Sequence, residues 1–196
     1  TSLQGNSLFN WLMTLAACEI EEALVPPLAH VALVDLAYEV LGKEVKIVDP
    51  NLNEDEKKLQ ILLALERTLV KADSAMISYL IWRYYNQRWL EADQELLAQV
   101  ARKVNNLRSA IQAQIHYPLS EKLFRLFKKH AIVFQILKEI ITEDPQAADK
   151  FFSEPAKLEE CVRRTCEKLY KKSRTKLRRS IVRVILYIFI TKMLLI

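Results

Sequence analysis

Residues 91–141 read EADQELLAQVARKVNNLRSAIQAQIHYPLSEKLFRLFKKHAIVFQILKEII. In the first half Leu97, Val100, Val104, Leu107 and Ile111 fall at alternating three- and four-residue steps, the spacing that lines one face of a helix. In the second half Leu123, Phe127, His130, Phe134, Leu137 and Ile141 repeat it. Tyr117-Pro118 separates the two runs, since proline cannot continue a helix, and Ser120 is placed to cap the second. Two amphipathic helices on a short turn predict an antiparallel hairpin. Its shared core would hold Leu97, Val100, Val104, Leu107, Phe127, Phe134 and Leu137, with His130 as a core histidine.

The rest of the chain agrees with an all-α fold. Of 196 residues 51% are hydrophobic, enough to bury a real core, and only two are glycine. Hairpin turns and bulges draw on glycine, so sheet-rich folds are disfavoured. Neither Gly5 nor Gly42 lies in a dinucleotide or P-loop pattern, which removes the usual support for nucleotide chemistry.

Start and stop signals divide the chain into helices. Ser7 caps a first helix to about residue 25, ended by Pro26-Pro27. A second covers about 28–41, with Gly42 as its left-handed stop. Residues 45–50 are the one β-like stretch, read as a connector. Asn53 caps a third helix, with Glu54, Asp55 and Glu56 at its positive end. Asp73 caps a fourth, to about residue 89. Asp144-Pro145 opens a short helix to about 152, and Ser153-Glu154-Pro155 opens the last and longest.

The expected architecture is a bundle or orthogonal array of about six helices, with a long basic C-terminal helix running into an apolar segment. It divides into a helical body (1–169), a basic neck (170–180) and an apolar segment (181–196).

The formal charge is +5, but it is unevenly spread. Between Arg163 and Arg183 there are ten basic residues and one acid, Glu167, so the first 162 residues are net acidic. Within the neck Lys171, Lys172, Arg174, Lys176, Arg178 and Arg179, and Arg183 just beyond it, are the candidate contacts to an anionic partner. Next to a membrane segment each would contribute about 1 kcal/mol against anionic headgroups. The same array suits a phosphodiester backbone, with affinity falling steeply in salt.

Thirteen of the sixteen residues 181–196 are apolar, the exceptions being Arg183, Thr191 and Lys192. A spanning helix needs roughly 17–25 apolar residues, so the run is slightly short. Arg183 can snorkel to the headgroups, and Lys192 at mid-bilayer costs up to about 3 kcal/mol. A core helix is the other reading, with Lys176, Ser180, Arg183, Tyr187 and Thr191 as its wet stripe. The basic flank favours the membrane.

At this run, and from Phe9-Asn10-Trp11-Leu12 through Cys18-Glu19-Ile20-Glu21-Glu22, the chain resembles an uncharacterised family of bacterial membrane proteins. The resemblance touches the two ends, about a fifth of the chain. It implies a helical cytoplasmic region leading through a basic stretch into spanning segments, and no catalytic activity.

Tyr79, Trp82, Tyr85 and Trp89 recur at helical spacing beside Arg83 and Arg88. They read as a core stripe first and as a stacking platform for single-stranded nucleic acid second. Any exposed part of Trp82, Tyr85 and Trp89 would be an anchor for a protein partner.

Catalytic and metal signals are weak. His30, His116 and His130 are isolated, with no paired-histidine or Glu-x-x-His spacing. Glu19, Glu21 and Glu22 cluster without a histidine. Cys18, Cys161 and Cys166 form no Cys-x-x-Cys pair, which fits a reducing compartment. Leu15-Ala16-Ala17-Cys18 mimics a lipoprotein cleavage box but has no basic segment before it.

The expectation is a non-enzymatic helical domain on the cytoplasmic face of a membrane, without a cofactor or metal, serving interaction or scaffolding with a protein partner. The alternative is a soluble cytoplasmic helical protein that binds nucleic acid through the basic helix.

Overall fold

Asn53 fixes the start of the helix around which the N-terminal part is built. Its side chain accepts from the Glu56 N–H at 2.8 Å, while Glu56 Oε2 accepts from the Asn53 N–H at 3.1 Å. This reciprocal cap, with three acids in the first turn, satisfies donors the helix leaves open.

The computed structural model describes residues 2–143 and 154–194, and it is 85% helical with no strand among the described residues. The all-α expectation holds. The helices are α1 (Ser2–Leu24), α2 (Leu28–Val40), α3 (Glu54–Leu65), α4 (Ser74–Tyr85), α5 (Gln94–Ile115), α6 (Pro118–Lys128), α7 (Ala131–Glu143) and α8 (Pro155–Leu194). The expected short helix at 144–152 lies outside the described residues.

Helix α3 is buried on two sides. Leu59 and Leu63 join Leu15, Ile77, Tyr79, Ile81, Trp82 and Ile111 in one apolar cluster. Ile61, Ala64 and Leu65 join Leu33, Val34, Ala37, Leu123, Phe127 and Phe134 in another. A helix enclosed this way carries no one-sided apolar stripe, which is why 59–65 shows none.

That placement corrects the expected hairpin. The α5 seam buries Ile111 in the cluster with α1 and α4, with Val100 and Leu107 half-buried there. The α6 seam buries Leu123 and Phe127 in the cluster with α2 and α3. Leu97 is exposed, and Val104 and Leu137 are half-buried. The seven residues expected in one core are split because α3 offers an apolar wall to each seam separately.

The expected sixth helix is two, α6 and α7, broken at Lys129-His130, where the His130 N–H donates to Phe127 O. His130 is therefore exposed and not a core histidine. Ser120 does not cap α6. Tyr117 occupies the cap and Pro118 the first turn, where its missing N–H costs nothing, while Ser120 is buried inside the helix.

Other boundaries also move. Ser7 lies inside α1. Helix α4 ends at Tyr85, Trp89–Glu91 is a short 3-10 turn, and Asp93 caps α5 by accepting from the Leu96 N–H at 2.8 Å. Asp73 caps α4 as expected, accepting from the Met76 N–H at 2.9 Å. Residues 45–49 form a connector with no strand.

Gly42 is not a left-handed stop. No described glycine has positive φ; that conformation belongs to Lys71 (φ 61°), which ends the π turn Glu66–Val70. Gly42 instead opens the 3-10 turn Gly42–Glu44, where an added Cβ would stand 2.6 Å from Tyr38 Cδ2. Close packing is what excludes a side chain here.

The chain forms two compact units, Thr1–Phe134 and Gln135–Ile196, divided inside α7. In the second, Ile140, Cys161 and Thr165 are buried, and Lys168 Nζ lies 3.6 Å from Glu139 and 3.4 Å from Glu143. Leu158, Val162 and Leu169 are half-buried on the same helix, with Cys161 and Thr165 buried between them.

Candidate membrane-facing interface

Helix α8 runs through the expected neck and apolar segment without a break. Its 40 residues span about 60 Å at 1.5 Å per residue. The first third carries the buried stripe. From Tyr170 to Ile190 every residue is exposed.

All seven predicted cations, Lys171, Lys172, Arg174, Lys176, Arg178, Arg179 and Arg183, lie on that exposed stretch. At 100° per residue they wrap about 200° of the helix circumference. None has a described carboxylate within ion-pair distance. Three like-charge pairs stand four residues apart, Lys172 with Lys176, Arg174 with Arg178 and Arg179 with Arg183. Each such pair destabilises an isolated helix by about 0.2–0.5 kcal/mol, which an anionic surface alongside would relieve.

The apolar continuation is bare on all sides. Ile181, Val182, Val184, Ile185, Leu186, Tyr187, Ile188, Phe189 and Ile190 are all about half exposed or more, and Leu194 is 80% exposed. Val184, Leu186, Phe189 and Leu194, which a core helix would bury, are all more than half exposed. No single helix among the described residues is long and apolar enough to cross a membrane.

The aromatic stripe on α4 proves to be core. Tyr79 and Trp82 are buried, and Trp82 packs edge-to-face between Trp11 (5.9 Å) and Trp89 (5.1 Å). Trp82 is thereby removed as a partner anchor, because its indole is already enclosed; Tyr85 is only partly exposed and Trp89 half-buried. The stacking-platform reading fails for the same reason. Arg83 is engaged too, paired with Glu22 and lying 5.9 Å from the Tyr79 ring.

Sequence reasoning missed the role of the first-helix acids. Glu22 holds Arg83, and Glu19 Oε2 accepts from Trp89 Nε1 at 3.1 Å, so these carboxylates clasp α1 to the end of α4. No group of three or more His, Cys, Asp or Glu side chains suited to a metal occurs among the described residues.

Two cavities lie in the first unit. One, of about 400 Å³, is lined by Tyr38, Lys43, Lys46, Lys57 and Lys58 near Gly42. There Lys43 pairs with Glu39 and Lys57 with Glu54. The other, of about 340 Å³, is lined by Arg67, Asp73, His116 and Ser120. Arg67 is held by Ser120 Oγ at 2.8 Å and by the Phe124 ring at 5.0 Å.

Beside that arginine, Glu66 in the π turn has its carboxyl pushed up to about 7 by burial, with the charge of Asp35 adding to it. Nothing in its sequence neighbourhood signals this, because the desolvation comes from helices distant in the chain.

No family model, no curated protein and no solved structure matches the chain.

Proposed function

We propose that the chain is a non-enzymatic, membrane-attached helical domain held to the cytoplasmic face of an anionic bilayer by α8. The neck lays its cations at the headgroups and the segment beyond Ser180 enters the acyl region. The supporting observation is that the apolar residues from Ile181 to Leu194 are exposed around the helix, directly after six cations and around a seventh, Arg183, none of which has a described carboxylate partner. A soluble helix surface does not combine these features, since an all-round apolar helix is stable only when enclosed by protein or lipid. Interaction or scaffolding at the membrane is the role this leaves to the remaining helices, in keeping with the resemblance to helical bacterial membrane proteins.

The test is flotation of the full chain with vesicles of phosphatidylcholine containing phosphatidylserine, against a variant lacking 181–196. The full chain is expected to float and the truncated one to remain behind. A truncated chain that floats equally well overturns the reading. Retention on a DNA column that survives truncation while flotation is absent would replace it with nucleic-acid binding.

A further inference from the structure

A second apolar surface lies at the other end of the sequence. On α1, Phe9, Met13, Ile20 and Leu24 are all more than half exposed and recur along one face at helical spacing. The opposite face of the same helix is occupied: Leu15 is buried in the core, Trp11 and Cys18 pack on it, and Glu19 and Glu22 clasp Trp89 and Arg83. The exposed stripe is therefore not an undocked core face.

The stripe continues around the bend into α2. Leu24, Val25 and Leu28, at the corner, are 71–77% exposed, and Val31 follows. The two helices meet at 101°, and by length and composition the pair is apolar enough for a membrane segment where neither helix is alone. A straight span is impossible at that angle.

The backbone at the corner is partly satisfied within the bend. Pro26 and Pro27 carry no N–H. The Val25 N–H donates to Glu21 O at 2.8 Å, Leu28 to Pro26 O at 2.9 Å, and His30 and Val31 to Pro27 O at 2.9 and 3.0 Å. These bonds satisfy four donors within the bend, while the prolines leave the Glu22 and Ala23 carbonyls without their i+4 donors, which suits the hydrated bilayer interface rather than the acyl core.

The charge pattern selects the lipid region as well. Residues 1–42 contain no lysine or arginine. Their acids lie off the stripe or past the corner: Glu19 and Glu22 on the packed side, Glu21 at the stripe's edge, and Asp35 and Glu39 farther along α2. A protein or nucleic-acid partner chosen by charge has nothing to read at the corner, whereas acyl chains require none.

We propose that the α1–α2 elbow is a second, charge-independent lipid contact. Its corner and the outer stripe of α1 lie in the plane of the bilayer interface, and α2 leaves the bilayer where Asp35 begins. The proposal adds to the membrane attachment through α8 and rests on that reading for the presence of a bilayer.

The test uses the full chain carrying Cys18→Ala and Cys166→Ser. A single nitrobenzoxadiazole label is placed in turn at Leu24→Cys, at Phe189→Cys and, as a solvent control, at Gln87→Cys. Each is mixed with phosphatidylcholine vesicles with and without brominated acyl chains and with added phosphatidylserine. Circular dichroism checks that each variant is folded.

The expected result is a blue-shifted label at residue 24 that brominated lipid quenches, equally in neutral and anionic vesicles and in high salt, with residue 87 unaffected. Leu24→Asp combined with Leu28→Asp should lower partitioning into neutral vesicles at least about tenfold. If residue 189 is quenched and residue 24 is not, the elbow proposal falls and α8 attachment stands. If neither is quenched, both fall. A blue shift at residue 24 without vesicles, in a chain that sediments as a dimer, assigns the stripe to a second copy and overturns the lipid contact.

Discussion

Gln60, which has no exposed surface, donates from its side-chain amide both to the backbone oxygen of Gln114 at 2.9 Å and to the Gln114 side-chain oxygen at 2.7 Å. Gln114 in turn donates to Glu56 Oε1 at 3.3 Å, which ties the end of α5 to the first turn of α3. Gln60→Leu leaves the buried Gln114 side-chain oxygen without its donor and should cost about 1–3 kcal/mol. Urea unfolding measures it. Adding Gln114→Leu should recover part of the loss, and strictly additive costs would show that the two amides are not coupled.

Gly42→Ala tests the close approach to Tyr38. Because Gly42 does not need positive φ, the penalty is steric, chiefly the clash with the Tyr38 ring at 2.6 Å and secondarily a 3.1 Å contact to Ile61 Cγ2. A destabilisation of about 1–3 kcal/mol is expected. It should largely vanish in a Tyr38→Ala background. Thermal melts of the four chains decide it, and a stabilising alanine in the wild-type background contradicts the packing.

Glu66 should make stability fall with rising pH. Its carboxyl ionises near 7 in the folded chain and near 4.5 when unfolded, so the folded state holds the proton more tightly. That contribution is full below pH 4.5 and is lost as pH climbs through 7. Partial exposure screens the effect, leaving about 1–2 kcal/mol. Urea midpoints at pH 4.5, 6 and 8 should converge with those of Glu66→Gln at low pH and separate above it. A flat profile, the same for both chains, would place Glu66 in a wetter site.

Ile111 and Leu97 share the α5 periodicity but not its burial, at 0% and 46% exposure. Ile111→Ala should cost about 2–5 kcal/mol, and Leu97→Ala less than about 0.5 kcal/mol. Equal costs, read from unfolding curves, would mean that the whole seam is buried.

The neck cations should act together. Replacing Arg174, Lys176, Arg178 and Arg179 by glutamine is expected to weaken binding to phosphatidylserine vesicles by up to roughly 4 kcal/mol, from about 1 per charge. Raising the salt concentration should shrink the difference between the two chains. Unchanged partitioning at low salt would remove the headgroup role.

The all-α class, the caps at Asn53 and Asp73, and the exposed basic stretch of α8 were legible from the sequence. Each rests on local chemistry: a side chain that reaches a backbone N–H three residues on, a scarcity of glycine, or a stretch with nothing to bury. Partnership was not legible. The α5 and α6 seams look made for each other, yet α3, whose short apolar run has no stripe to advertise, takes one on each side. Trp82 and Leu24 are both large apolar residues on helices, and only their packing puts one inside and leaves the other bare. Periodicity specifies that a helix has a face to bury, because that depends on 3.6 residues per turn. Which surface covers that face depends on helices far away in the chain, and that only the tertiary structure decides.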